Sequence, residues 1–89
     1  MKEFNILISG KVQGVFFRAF VKEHAIKLSI NGWVINTNNC VEVFAQGSQD
    51  LLNKLIIMCK QGPIASNVLD IQVKESEIKK KYKEFKIIL

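Results

Sequence analysis

At 89 residues the chain has room for one domain, residues 1–89, with a modest core, and not for two. Its 48% hydrophobic and 24% charged residues are those of an ordinary globular protein, which excludes dominant disorder. A formal charge of +5 favours anionic partners. However, seven of the thirteen cations fall in the last thirty residues, so the total alone does not mark a nucleic-acid binder.

The first predicted element is a strand. Phe4, Ile6 and Ile8 alternate with Asn5, Leu7 and Ser9, the period of two that buries one face. A helix follows, in which Phe17, Val21, Ala25 and Leu28, flanked by Phe20, keep helical spacing. Between them runs Gly10-Lys11-Val12-Gln13-Gly14-Val15-Phe16-Phe17-Arg18. A short loop of this kind can turn successive backbone N–H groups toward one point, and the helix that opens after it adds the positive end of its dipole. Arg18 supplies a permanent charge and a planar fork suited to two phosphate oxygens. The same residues also suit an ordinary turn followed by a solvated arginine, and the loop matches neither G-x-G-x-x-G nor the P-loop pattern.

Leu28 to Gly32 reads as a stop and a turn, and Trp33 to Asn36 as a second strand. The paired Asn38 and Asn39 tolerate positive φ and fit a tight hairpin leading to a third strand, Val41 to Gln46, with Val41, Val43 and Ala45 on one face. Ser48 is placed to cap a helix carrying Leu51, Leu52, Leu55, Ile56 and Cys59, which Gly62-Pro63 closes. A fourth strand, Val68 to Val73, is expected to turn Leu69, Ile71 and Val73 inward. Lys74 to Lys83 reads as a solvated turn with some helical character in Glu75 to Lys81, and Phe85, Ile87 and Leu89 as a short final strand.

This order predicts an α+β, ferredoxin-like βαββαβ sandwich: an antiparallel sheet with two helices on one face and an extra C-terminal strand. The first two strands then run parallel and end at the same edge. That brings Asn36 to the Gly10–Arg18 loop, where its amide can donate to an oxygen or hold a water. Asparagine before a hairpin is equally at home there for the turn alone.

Cys40 and Cys59 lack C-x-x-C spacing, so neither a zinc site nor a redox motif is indicated, and both are expected as small buried thiols. No apolar stretch is long enough to cross a membrane, and Met1 to Ser9 lacks the pattern of a secretory signal; a reducing cytoplasm is the expected location. His24, about a turn and a half beyond Arg18, is expected to be structural rather than catalytic.

The residues resemble the acylphosphatase family along nearly the whole chain. The resemblance is carried by Gly10 to Arg18, then Ala25, Gly32-Trp33-Val34-Ile35-Asn36, Val41-Glu42, Gln46-Gly47, Gly62-Pro63 with Ala65 and Val68, and Phe85 with Ile87. It implies hydrolysis of acyl phosphates to a carboxylate and inorganic phosphate, with Arg18 and the backbone of Gln13, Gly14, Val15, Phe16, Phe17 and Arg18 binding the phosphoryl group. It also implies that Asn36 positions the attacking water and that no metal or organic cofactor takes part. The partners implied are a small-molecule acyl phosphate and inorganic phosphate, for a monomer with no nucleic acid or membrane. The chain departs from the family pattern at Ser29, where glycine is common, and in the Thr37–Cys40 turn, which is one residue shorter and lacks its glycine. The alternatives are a domain of the same fold that binds acyl or carbamoyl phosphate without turnover, or an RNA-binding module. Against the latter, Val41 to Gln46 lacks the ring pattern used for base stacking.

Overall fold

The alternating Phe4, Ile6 and Ile8 form the buried face of a ten-residue strand, β1 (Lys2–Lys11), in a computed structural model that describes residues 1–89. After it come α1 (Phe17–Lys27), β2 (Asn31–Thr37), β3 (Cys40–Gly47), α2 (Gln49–Gln61), β4 (Asn67–Ser76) and β5 (Phe85–Ile88). The strands lie in the order β4-β1-β3-β2-β5. β3 pairs antiparallel with both β1 and β2, so those two run parallel and end at one edge, as the sequence predicts. Phe17, Val21 and Ala25 of α1 and Leu52, Leu55 and Cys59 of α2 join Ile6, Ile8, Val34, Val41, Val43 and Ala45 in one buried core. Each fully buried Val, Leu or Ile of that set stabilises the fold by roughly 1.5–3 kcal/mol.

The caps are readable in the sequence. The Ser48 hydroxyl accepts from the Leu51 N–H at the start of α2. At the end of α1, Ser29 adopts φ 56°, and its N–H and that of Ile30 return to the carbonyls of Ile26 and Ala25. That is the Schellman arrangement, occupied here by serine where glycine carries no Cβ penalty. Asn38 and Asn39 both take positive φ and close a two-residue hairpin between the paired Thr37 and Cys40.

Three expectations are corrected. β5 is parallel to β2, which makes the sheet mixed. The reason is topological: β4 occupies the opposite edge and runs against β1, and residues 77–84 cross the end of the sheet and reverse direction. That crossing segment carries no helix, and β4 extends to Ser76. It is held instead by Gln46, which is 3% exposed: its Nε2 donates to the Lys80 carbonyl at 2.6 Å and to Glu3 Oε1 at 2.8 Å, and its Oε1 accepts from the Tyr82 N–H at 2.9 Å. Finally, Leu69 is not inward but 74% exposed, and Val73 is exposed on the edge strand. The pairing of β1 with β4 skips a residue, from Ser9↔Asp70 to Gly10↔Val68, so Leu69 is the extra residue of a bulge and Val68 takes the inward place.

Candidate active site

The loop between β1 and α1 is built for open backbone donors. Gly10, at φ 127°, lies so close to β4 that a Cβ there would run into the Asn67 carbonyl oxygen. At Gly14, φ is 70° and no protein atom lies within 4 Å of where a Cβ would stand, so the backbone there faces open space. Phe16 closes the loop in the left-handed region, at φ 64°, as the N-cap of α1 with no side-chain cap. Consequently the first helical bond runs from the Phe20 N–H to the Phe16 carbonyl, and every N–H from Gln13 to Ala19 lacks an acceptor within the protein. No acidic residue stands in the first turn to offset the positive end of the helix.

Arg18, half-buried in that first turn, makes no ion pair, and its Nη1 donates to the Ile88 carbonyl at 3.4 Å. β5 therefore braces the guanidinium without neutralising it. Across the cleft, Asn36 lies in β2 opposite Val41. Its Oδ1 is buried without a hydrogen-bond partner, and the amide makes no bond to the hairpin that follows. Arg18 and Asn36 line one cleft of about 380 Å³ together with Gly14, Phe16 and Phe17, so two strands and a helix converge as the topology predicts.

Of the predicted loop residues, Val15 is turned into the core, so only its backbone faces outward. Gln13 has a side-chain function that the sequence did not reveal: its Nε2 donates to the Cys40 carbonyl at 3.0 Å, which ties the loop to the β2–β3 hairpin. Also missed were Val12, Ala19, Ile87 and Leu89, which complete the cleft wall. The alternation of Ile87 and Leu89 marked a strand but not its position beside α1, which depends on the crossing of residues 77–84. His24 packs against Phe20 with ring centroids 4.5 Å apart and planes tilted by 58°, and takes no part in the cleft. Cys59 is buried in the core, where desolvation pushes its thiol up to about 12, whereas Cys40 is half-buried.

Fold and cleft together define a small α+β domain whose strand-to-helix loop offers an uncompensated set of backbone donors beside one free arginine. The family model for acylphosphatase matches residues 4–87. An acylphosphatase of Pyrobaculum aerophilum is 39% identical over 90 residues, covering 99% of this chain and 95% of that protein. One of Chlorobaculum tepidum is 42% identical over 88 residues, covering 98% and 96%. The crystal structure of acylphosphatase from Bacillus subtilis superposes with a TM-score of 0.97 at 37% identity, covering 100% of both chains. The chain belongs to the acylphosphatase family, and thereby to the hydrolases.

Proposed function

We propose that this chain, acting as a single domain, hydrolyses acyl phosphates, R–CO–O–PO₃²⁻, at the O–P bond with its own side chains and backbone. The observation that carries the reading is the run of unaccepted N–H groups from Gln13 to Ala19 beside the unpaired Arg18. These donors surround the phosphoryl oxygens, and Arg18 holds two of them with its fork. Phosphoryl transfer asks mainly for positioning and for stabilisation of charge on the equatorial oxygens, which such donors supply. The Asn36 amide, uncommitted to any protein partner, holds the water: Nδ2 donates to one lone pair and leaves the other for phosphorus.

The balance of the reaction is simple. A bond forms from the water oxygen to phosphorus, the bond from phosphorus to the acyl oxygen breaks, and the electron pair leaves on a carboxylate. One proton of the water passes to a phosphoryl oxygen, giving dihydrogen phosphate. A carboxylate is a weak base, so no strong general acid is needed at the leaving group, and Asn36 orients rather than deprotonates.

The test is the decay of benzoyl phosphate, followed by ultraviolet absorbance in EDTA, for the wild type beside Arg18→Ala. The wild type accelerates the decay, and the variant loses about three orders of magnitude, the scale of a transition-state arginine. Equal rates for the two folded proteins, or activity that vanishes in chelator and returns with a metal, would overturn the reading.

A further inference from the structure

A bulky aromatic side chain at positive φ is an uncommon choice, because the left-handed region costs an L-residue roughly 1 kcal/mol. Phe16 takes it at φ 64°. The ring gives nothing back to the fold, since the residue is 86% exposed. Nor does it stack on another aromatic ring, as its neighbours Phe17 and Phe20 do. The backbone of the loop explains the φ value but not the phenyl ring, for which glycine would be the less strained choice.

The ring stands at the mouth of the cleft. Phe16 is the N-cap that precedes α1, and Leu89 follows the last residue of β5; with Val12, Ala19 and Ile87 they line the same cleft as Arg18 and Asn36. Leu89 is fully exposed. The polar groups of the cleft are the backbone N–H groups, the guanidinium and the amide, and its most exposed apolar residues, Phe16 and Leu89, make a rim shared between the start of α1 and the end of β5. A bound acyl phosphate with its phosphoryl group on those donors directs its acyl group outward past that rim.

We infer that Phe16 and Leu89 form an acyl-group wall that selects acyl phosphates with apolar, ring-sized acyl groups over those with small or polar ones. This inference rests on the acyl-phosphate reading above and adds the substrate class to it. Part of a phenyl ring becomes buried between the two side chains, whereas a methyl or amino group reaches neither. For an open site the gain is about tenfold, the low end of what apolar pocket contacts discriminate.

The experiment compares kcat/KM for benzoyl phosphate and acetyl phosphate in the wild type, Phe16→Ala, Leu89→Ser and Phe16→Trp, with circular dichroism confirming the fold of each. Phe16→Ala and Leu89→Ser each lower the benzoyl-to-acetyl ratio by about tenfold or less, and Phe16→Trp restores it. A ratio unmoved by both truncations overturns the wall, even if both rates fall together, since that pattern belongs to a disturbed loop backbone. Titration with two non-hydrolysable anions, benzylphosphonate and methylphosphonate, separates this inference from the one beneath it. A wild type that binds the benzyl compound about tenfold tighter, with the gap erased in Phe16→Ala, supports the wall even if no acyl phosphate turns over. Equal binding of the two anions by the wild type overturns it.

Discussion

Truncating Asn36 to alanine should move stability and turnover in unrelated directions. The Asn36 Oδ1 is buried without a partner, and an unsatisfied buried acceptor costs about 1–3 kcal/mol. Asn36→Ala removes that cost, while the lost contacts of a half-buried side chain act against it. The net change in folding stability should therefore stay within about 1 kcal/mol, or about 4–8 °C in Tm for a domain of this size. Turnover should fall about 100-fold, the scale set by losing the alignment of an attacking group. Affinity for inorganic phosphate should change little, because the donors of Gln13 to Ala19 and the Arg18 guanidinium remain. Thermal melts, kcat for benzoyl phosphate and competitive inhibition by phosphate read the three quantities separately. A variant that loses more than about 2 kcal/mol of stability while keeping its turnover would place Asn36 in the hairpin instead and refute the reasoning.

Other substitutions test the surroundings of the site. Ser29→Gly relieves the left-handed serine at φ 56° and should raise stability by about 0.5–1 kcal/mol, seen as a higher urea midpoint at constant m; a lower midpoint would mean the hydroxyl has a structural partner. Gln13→Ala cuts the 3.0 Å tie to the Cys40 carbonyl and should lower kcat by about tenfold with stability nearly unchanged, because the loop donors lose their fixed position; unaltered kcat would make the tie incidental. The Cys59 thiol keeps its proton up to about 12 in the folded chain, against 9.0 as its ordinary value, so the unfolded chain releases the proton first. Its contribution is therefore flat below pH 9 and destabilises the folded state at about 1.4 kcal/mol per pH unit above that, up to about 12. Urea titrations at pH 8 and pH 10 should show a steeper loss for the wild type than for Cys59→Ala; equal slopes would mean that the thiol is reached by solvent.

Much of the fold was legible because its signals are local. Alternation in β1 and β3, the Ser48 cap and the paired Asn38 and Asn39 each act over a few residues, and each element formed where its own chemistry called for it. What the sequence hid depends on partners far along the chain. Leu69 falls on the outward side because of a one-residue slip against Ser9 and Gly10, and a period-two reading of β4 alone has no access to its partner's register. The direction of β5 is likewise set at a distance, by the Gln46 amide pinning Lys80 and Tyr82 and by the Asn31 Nδ2 donating to the Tyr82 carbonyl at 3.0 Å.

That distant pinning bears on the site itself. The open N–H groups of the cleft belong to one short stretch, from Gln13 to Ala19, and the parallel ends of β1 and β2 suffice to bring Asn36 to it. Only half of the apolar rim is local, at Phe16; the other half comes from the far end of the chain. Ile87 and Leu89 reach Arg18 only because residues 77–84 are held across the sheet, and the Ile88 carbonyl that braces the guanidinium arrives by the same route. A change at Gln46, buried at the opposite end of β3 from the hairpin, should therefore loosen β5 and weaken the hold on Arg18 without touching the Gln13–Arg18 loop. The proposed phosphoryl site is thus written locally, whereas the proposed acyl wall joins a local residue, Phe16, to Leu89, which only the tertiary fold brings beside it.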